Sequence, residues 1–327
     1  MSVPSDTDAD REPARPAATP STLKTCAQLV RLPAVFTALA DIILGYMLTH
    51  RAIGDSPLQL VLLLTTSACL YLAGMVLNDV FDARLDAVER PERPIPSGRV
   101  SRSKASLLAV ALIVIGLGTA ASLRWLEPIF CGWNPLLVAG GIVLAVLLYN
   151  GLLKSTPLGP ISMGLCRFLN VILGASASGF LLGKPFYDPQ RWIAIGLAVY
   201  VAGVTWFARS EAGPSSRKLL SWGLFVVNLG LTILIGWVWK RGPAETQWLA
   251  FALLAVIALN LNKRMLVAIS QPSPTVVQSA VRTLLLSIIT LDCAVIFAKT
   301  GNILVATSIA VGLIVPAMLT GRWIRMT

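Results

Sequence analysis

Charged residues, histidine and paired cysteines are all scarce in this chain. Only 13% of its 327 residues are charged, which is about half the share that soluble globular proteins carry and argues against a soluble domain. The single histidine, His50, rules out bis-histidine haem ligation and disfavours histidine base chemistry. The five cysteines contain no CxxC pair, so neither a disulfide framework nor a zinc site is indicated.

Long apolar segments are abundant instead, and 55% of the residues are hydrophobic. Each segment of about 18–20 such residues is long enough to cross roughly 30 Å of hydrocarbon as a helix. The sequence therefore predicts an all-α, polytopic membrane helix bundle with nine core transmembrane helices and a tenth at the C-terminus. The predicted spans are 34–49, 58–77, 105–122, 135–153, 159–182, 191–208, 219–239, 247–262, 280–298 and 302–320.

The N-terminal segment differs in composition from the rest of the chain, because it is rich in proline and in charged residues. Such a segment buries too little apolar surface to fold. We therefore expect residues 1–24 to be a disordered cytosolic tail. Residues 25–327 are expected to form a single transmembrane domain.

The distribution of basic residues predicts the orientation in the membrane, because cytosolic loops are enriched in Lys and Arg. If the N-terminus lies on the inner side, 19 of the 27 basic residues are inside and seven are outside, and Arg167 lies within a span. We therefore expect both termini to be cytosolic, in the inner or plasma membrane if the chain is bacterial. This bias accounts for most of the +11 net charge, so no nucleic-acid partner is expected.

The largest predicted inner loop begins with the segment NDVFDARLD, from Asn78 to Asp86. If the second helix continues past Asn78, then Asn78, Asp82 and Asp86 fall at about 0°, 40° and 80° around it, and Asp79 falls at about 100°. Arg84 projects elsewhere, at about 240°, so repulsion along this acidic stripe predicts a need for a cation. The alternative is a solvated, charged helix end, and in either case we expect the stripe to face solvent.

A turn with the sequence RPIPSGR, residues 93–99, follows the acidic stripe. Its two prolines stiffen it, and it presents guanidinium groups beside the acids. Mg²⁺ typically joins one or two carboxylates to phosphate oxygens, and arginine pairs well with phosphate. Together the stripe and the turn predict a site for Mg²⁺ and a diphosphate.

NDVFDARLD followed by RPIPSG resembles the first aspartate motif of the UbiA superfamily of intramembrane prenyltransferases. The segment LYNGLLKSTPLGP at 148–160 is similar to the Tyr/Lys-bearing loop after helix four of that family. Within the superfamily, GLCRFLNVILGAS at 164–176 and the first motif resemble the branch found in ebo-type gene clusters.

The resemblance implies an enzyme that transfers an isoprenyl chain from its diphosphate to an aromatic or other lipophilic acceptor, with Mg²⁺ as cofactor. It also implies that Asn78, Asp82 and Asp86 hold Mg²⁺ on the diphosphate, with Asp79 close by as a further catalytic residue.

The resemblance further implies that Arg93 and Lys154 neutralise the leaving diphosphate. Tyr149 is a candidate neighbour of the allylic cation through its ring face. An interfacial anchor is an equally compatible interpretation of that tyrosine.

The family pattern places a second aspartate cluster after helix six, and here this sequence departs from it. The segment after the predicted sixth span offers one carboxylate, Glu211, among Arg209, Arg217 and Lys218. We expect Arg209, Glu211 and Lys218 to bind the diphosphate directly, facing the first motif across the mouth of a central cavity that opens laterally to lipid. The reduced motif also leaves open a non-catalytic, transport or lipid-binding member of the same fold.

Three ionisable residues, Asp41, Arg167 and Asp292, fall inside predicted spans, where charges usually face one another or a cavity. We expect Arg167 to pair with Asp41 or Asp292, with a structural or an acceptor-binding role. Met75 and Met163 are assigned no site role.

Overall fold

The computed structural model describes residues 22–126, 132–178, 188–209, 216–241 and 244–324. Regular structure in these residues is helical, and ten helices are long and apolar enough to cross a membrane, in agreement with the ten predicted spans. In chain order the helices are α1 (Thr22–Leu29), α2 (Leu32–Thr49), α3 (Pro57–Glu89), α4 (Arg102–Leu126), α5 (Asn134–Leu148), α6 (Gly159–Ala175), α7 (Gln190–Ala208), α8 (Arg217–Arg241), α9 (Ala244–Ser270), α10 (Pro274–Thr300) and α11 (Ile303–Trp323).

Two of these helices, α3 and α9, exceed their predicted spans the most. Helix α3 extends to Glu89, because its polar last three turns remain helical, and α9 continues to Ser270. The first 21 residues of the predicted tail lie outside the described residues, whereas residues 22–24 already belong to α1.

Helices α2 and α10 form the centre of the bundle, since most of each is buried inside the protein. Helix α2 packs against α3, α6, α10 and α11, whereas α4, α5, α9 and α11 present most of their surface outward. An outward apolar surface is stable in lipid, because lipid chains are as apolar as the side chains that face them.

Two glycines let α2 and α6 approach at backbone distance. A Cβ atom added to Gly45 would lie 2.1 Å from the carbonyl oxygen of Val171, and one added to Gly174 would lie 2.4 Å from that of Ile42. Small residues drive helix association in membranes by permitting such contacts. This contact brings the polar side chains of the two helices into hydrogen-bonding range.

The close contact contains a buried ion pair. Arg167 Nη1 lies 2.6 Å from Asp41 Oδ2 and donates to the carbonyl oxygen of Thr37 at 3.0 Å. Asn170 Nδ2 donates to the same carboxylate oxygen at 2.9 Å, and Ser67 Oγ of α3 donates to Asn170 Oδ1 at 2.7 Å. Arg167 thus pairs with Asp41, and the network joins α2, α3 and α6.

We predict that Gly45→Ala lowers the thermal unfolding midpoint of the protein in detergent. The new Cβ would meet backbone atoms that cannot rotate away, and overpacking of this kind costs about 1–3 kcal/mol. Gly236→Ala is the matched control, because a Cβ there meets no heavy atom within 4 Å. Alanine is the better helix former by about 1 kcal/mol, so the control variant should be unchanged or more stable. Equal midpoints for the two variants would contradict the close contact.

Candidate functional site

The acidic stripe lies on the last turns of α3, which remains helical through Glu89. Asn78, Asp79 and Asp86 are buried, and the side chain of Asp82 is 17% exposed. The helix therefore continues beyond Asn78, which is the condition on which the predicted stripe depends. The expectation that the stripe faces solvent is wrong, because neighbouring segments cover it.

Arginines from two other segments neutralise two acids of the stripe. Arg31 Nη2 lies 3.1 Å from Asp79 Oδ1. Arg93 Nη1 lies 2.7 Å from Asp86 Oδ2 and 3.6 Å from Asp79 Oδ1. The expected guanidinium of the turn after α3 therefore lies beside the acids. Arg31 was not expected there, because helix periodicity says nothing about residues that approach from elsewhere in the chain.

Arg31 reaches the stripe through an unusual backbone conformation. It lies between α1 and α2 with φ 48° and ψ 50°, a left-handed conformation that is uncommon for residues other than glycine. Such strain persists where the surrounding structure imposes it, often at functional sites. Arg31 was not among the residues predicted from the sequence, and its position directly before the first span is the signal that could have identified it.

Arg93 is held by the turn that follows α3. The backbone N–H and the Oγ of Ser97 donate to the carbonyl oxygen of Arg93 at 3.0 and 2.6 Å, and Gly98 adopts a positive φ of 75°. Arg99 Nη1 donates to Gln28 Oε1 of α1 at 3.0 Å. The predicted stiff turn is therefore fixed at both ends, and it holds a guanidinium that is only 7% exposed against the stripe.

Lys154 contacts the other two members of the stripe, Asn78 and Asp82. It follows a π-helical turn, Tyr149–Leu153, and its backbone N–H donates to the carbonyl oxygen of Tyr149 at 2.9 Å. Such turns occur frequently at functional sites. Lys154 Nζ donates to Asn78 Oδ1 at 2.8 Å and forms an ion pair with Asp82.

The oxygens of Asn78 and Asp82 converge on one ammonium group, so both side chains can face a single cation position. In the described part of the chain, no three His, Cys, Asp or Glu side chains form a ready metal cage. Mg²⁺ does not require one, because it usually keeps several waters and takes one or two carboxylates plus phosphate oxygens. The donor set therefore fits Mg²⁺ in company with a diphosphate.

A cavity of about 150 Å³ extends inward from the stripe between α2, α3, α5 and α6. Asn78 and Tyr149 line the end that we call the mouth, and Ser67, Arg167 and Asn170 line the end that we call the floor. Ser67 and Asn78 are separated by about 16 Å along α3, at 1.5 Å per residue. The cavity thus connects the acidic stripe with the buried ion pair of α2 and α6.

Met75 and Met163, which the sequence analysis assigned no role, also line this cavity. An apolar periodicity cannot separate residues that face a cavity from residues that face lipid.

Of the described basic residues after α7, Arg209 lies near the site and Arg217 does not. Arg209 Nη2 donates to the carbonyl oxygens of Thr156 and Lys154 at 2.5 and 3.4 Å, so it lies beside the segment that carries Lys154. Arg217 instead donates to the carbonyl oxygen of Ser270 at the end of α9. Lys218 is exposed.

Glu211, the one carboxylate of this segment, lies outside the described residues. Its predicted position opposite the first motif therefore stays a prediction.

The fold and the site define an integral membrane helix bundle with an aspartate-rich polar site at the mouth of an apolar cavity. Residues 34–211 match the UbiA prenyltransferase family, which is more than half of the chain. The protein belongs to the UbiA prenyltransferase family.

Relatives with known names or structures agree with this assignment. The digeranylgeranylglyceryl phosphate synthase of Methanoregula boonei is 34% identical over 176 residues, which are 53% of this chain and 54% of the relative. The chain spans about half the length of the curated relatives it matches.

Solved structures share the fold. The apo structure of a UbiA homolog from Aeropyrum pernix K1 has a TM-score of 0.61 and 20% identity, covering 79% of this chain and 97% of that chain. A UbiA homolog from Archaeoglobus fulgidus bound to GPP and Mg²⁺ has a TM-score of 0.57 and 16% identity, covering 83% and 99%.

We predict that Asp86→Ala destabilises the protein, because it leaves the buried guanidinium of Arg93 without its 2.7 Å partner. Removing one member of a buried pair costs about 3–5 kcal/mol, and we expect the lower value since Asp79 remains 3.6 Å away. Asp82→Ala is the control, because its partner Lys154 is 35% exposed and can be solvated. The measurement is thermal unfolding in detergent, and a larger loss for Asp82→Ala than for Asp86→Ala would refute the assignment.

Proposed function

We propose that this protein is an intramembrane prenyltransferase that moves an isoprenyl chain from its diphosphate to an aromatic or other lipophilic acceptor. The observation that supports this most is that Asn78 and Tyr149 line the mouth of the cavity while Lys154 joins Asn78 to Asp82 beside it. Polar groups suited to a diphosphate stand there directly beside a pocket suited to a hydrocarbon chain.

Asn78, Asp82 and Asp86 are the proposed Mg²⁺ ligands, with Asp79 close by. Arg93 engages Oδ2 of Asp86, so the other carboxylate oxygen is the proposed ligand atom. The Archaeoglobus fulgidus homolog with the same fold binds GPP and Mg²⁺, which supports a site for these two ligands. When bound, Mg²⁺ would offset negative charge on the diphosphate oxygens.

The reaction begins when the bond between prenyl C1 and the diphosphate oxygen breaks and its electron pair goes to the diphosphate. Arg31 and Arg93 hold fixed positive charge beside the proposed position of the leaving group, where negative charge develops, which is the condition for electrostatic catalysis. Lys154 adds a third positive charge there. The acceptor then forms a bond to C1 and loses a proton.

The walls of the cavity exclude water from the allylic cation while it exists. The ring of Tyr149, which lines the same cavity, can stabilise that cation by a cation–π contact.

The second group of diphosphate ligands in this proposal is Arg209, Glu211 and Lys218, acting in place of a second metal. The contacts of Arg209 with the segment of Lys154 support its part in the group. Arg217 is less suited, because its guanidinium points toward α9.

The remaining parts of the proposal concern classification and topology. The segments 76–98 and 164–176 favour the branch found in ebo-type gene clusters. The Lys and Arg bias favours cytosolic termini, with residues 1–24 as a disordered tail and residues 25–327 as one transmembrane domain. The name of the Methanoregula boonei relative makes a glyceryl phosphate lipid one of the acceptors to test.

The proposed activity can be tested with purified protein in liposomes that contain a total lipid extract, radiolabelled geranyl diphosphate and Mg²⁺. We expect labelled lipid products and an equal release of pyrophosphate. A comparison of lipids from cells with and without the gene, by mass spectrometry, then identifies the product. If the protein binds lipid but forms neither labelled product nor pyrophosphate, the result would favour the non-catalytic alternative.

We predict that Asp82→Asn abolishes Mg²⁺-dependent binding and turnover of geranyl diphosphate while the protein stays folded. Its side chain is a proposed metal ligand and is partly exposed, so the neutral amide is tolerated. Glu89→Gln is the matched control, since it makes the same chemical change at an exposed position of the same helix. Unchanged turnover in Asp82→Asn would refute the metal site.

We predict that Arg209→Gln and Lys218→Gln lower the turnover rate, by about 10²–10³ for a group aimed at developing charge. Arg217→Gln serves as the control, because that guanidinium binds the end of α9. Steady-state kinetics with saturating Mg²⁺ provide the measurement. Full activity in both variants, or a second Mg²⁺ bound to Glu211 in a complex with a substrate analogue, would contradict the replacement of the second metal.

A further inference from the structure

The ammonium group of Lys154 occupies a distinctive place among the cations at the mouth. It contacts Asn78 Oδ1 at 2.8 Å and also pairs with Asp82. These are two of the three residues that the proposed function assigns to Mg²⁺. A metal ion bound between the same two oxygens would have to take the position that the ammonium holds.

Lys154 is also better suited to leave its partners than Arg93 is. Its side chain is 35% exposed, whereas that of Arg93 is 7% exposed and held by two carboxylates. A lysine side chain is a compact charge on a flexible stem, whereas arginine binds through a rigid planar fork. Lys154 can therefore swing away from α3 without disturbing the buried pair of Arg93.

We propose that Lys154 occupies the metal position in the substrate-free protein and moves onto the diphosphate when substrate binds. This inference rests on the proposed function. Without a diphosphate, a metal ion must displace the ammonium and then remain close to its positive charge, so binding is weak. A diphosphate offers the ammonium new anionic oxygens, and the vacated Asn78 and Asp82 oxygens then accept the metal.

A consequence is that metal and diphosphate favour each other's binding. Because coupling between two ligands is reciprocal, the diphosphate raises metal affinity by the same factor as the metal raises diphosphate affinity. Lys154 thereby keeps metal off the oxygens of Asn78 and Asp82 in the absence of substrate, and it neutralises Asp82.

Binding of Mn²⁺ as a probe metal tests this inference without any turnover. Free Mn²⁺ is measured by electron paramagnetic resonance, with detergent-purified protein and no diphosphate present. We expect Lys154→Met to bind Mn²⁺ at least about tenfold more tightly than the wild type, because a positive charge close to the ion is removed. Lys104→Met is the matched control, since it removes the same charge at an exposed position on α4. Its affinity should equal that of the wild type.

Further variants complete the test. Lys154→Gln is measured in parallel, so that the result does not depend on one substitution, and thermal unfolding verifies the fold of each variant. The double variant Lys154→Met/Asp82→Asn should lose the higher Mn²⁺ affinity of Lys154→Met. That loss would show that the additional Mn²⁺ binding occurs at this site. The titrations are repeated with inorganic pyrophosphate, and protein-free samples correct for Mn²⁺ that pyrophosphate binds by itself. Pyrophosphate should raise the Mn²⁺ affinity of the wild type much more than that of Lys154→Met.

Two different failures can be told apart. Unchanged Mn²⁺ affinity in Lys154→Met and Lys154→Gln, or an equal gain in Lys104→Met, would overturn the inference. Prenyl transfer by the wild-type protein would still support the proposed function in that case. If Asp82→Asn neither weakens Mn²⁺ binding nor reduces turnover in any background, the metal assignment itself fails.

Discussion

Charge that lies at the edge of a hydrocarbon layer must be neutralised, and the organisation of this protein depends on that requirement. Four polar residues on the last turns of α3 meet basic side chains from three separate segments of the chain. Arg31 precedes the first span, Arg93 follows α3, and Lys154 follows the π-helical turn after α5. Each ion pair therefore also fixes the position of a chain segment, so the packing of the mouth and its chemistry have one physical origin.

A second neutralised group defines the other end of the cavity. The pair of Arg167 and Asp41 is buried at the closest approach of α2 and α6, where Gly45 and Gly174 allow backbone contact. The side chains between the two polar ends are mostly apolar, among them Leu70, Met75 and Ile142. A prenyl diphosphate has the same division between a charged head and an apolar tail, which is why this arrangement suits it.

Local features of the site were predictable, and long-range features were not. The ten spans follow from apolar length. The shared face of Asn78, Asp82 and Asp86 follows from helix periodicity, once the helix continues past Asn78. The burial of the acidic stripe and the contact of Arg31 with Asp79 could not be predicted from these local patterns. Arg31 is 48 residues from Asp79 along the chain, and its approach requires a left-handed backbone conformation that composition does not indicate. Met75 shows the same limit, because its place in the cavity depends on the neighbouring helices.

The sequence by itself determined that this is a helical membrane protein with oxygen-bearing side chains aligned on one helix face. Those properties are local, because helix hydrogen bonds and side-chain stacking involve residues three or four positions apart. Only the tertiary structure decided which cation neutralises which acid, and that Lys154, 76 residues from Asn78, rests on two oxygens proposed to bind metal. Ion pairs depend on distance in space, and that distance is set when separate helices pack together.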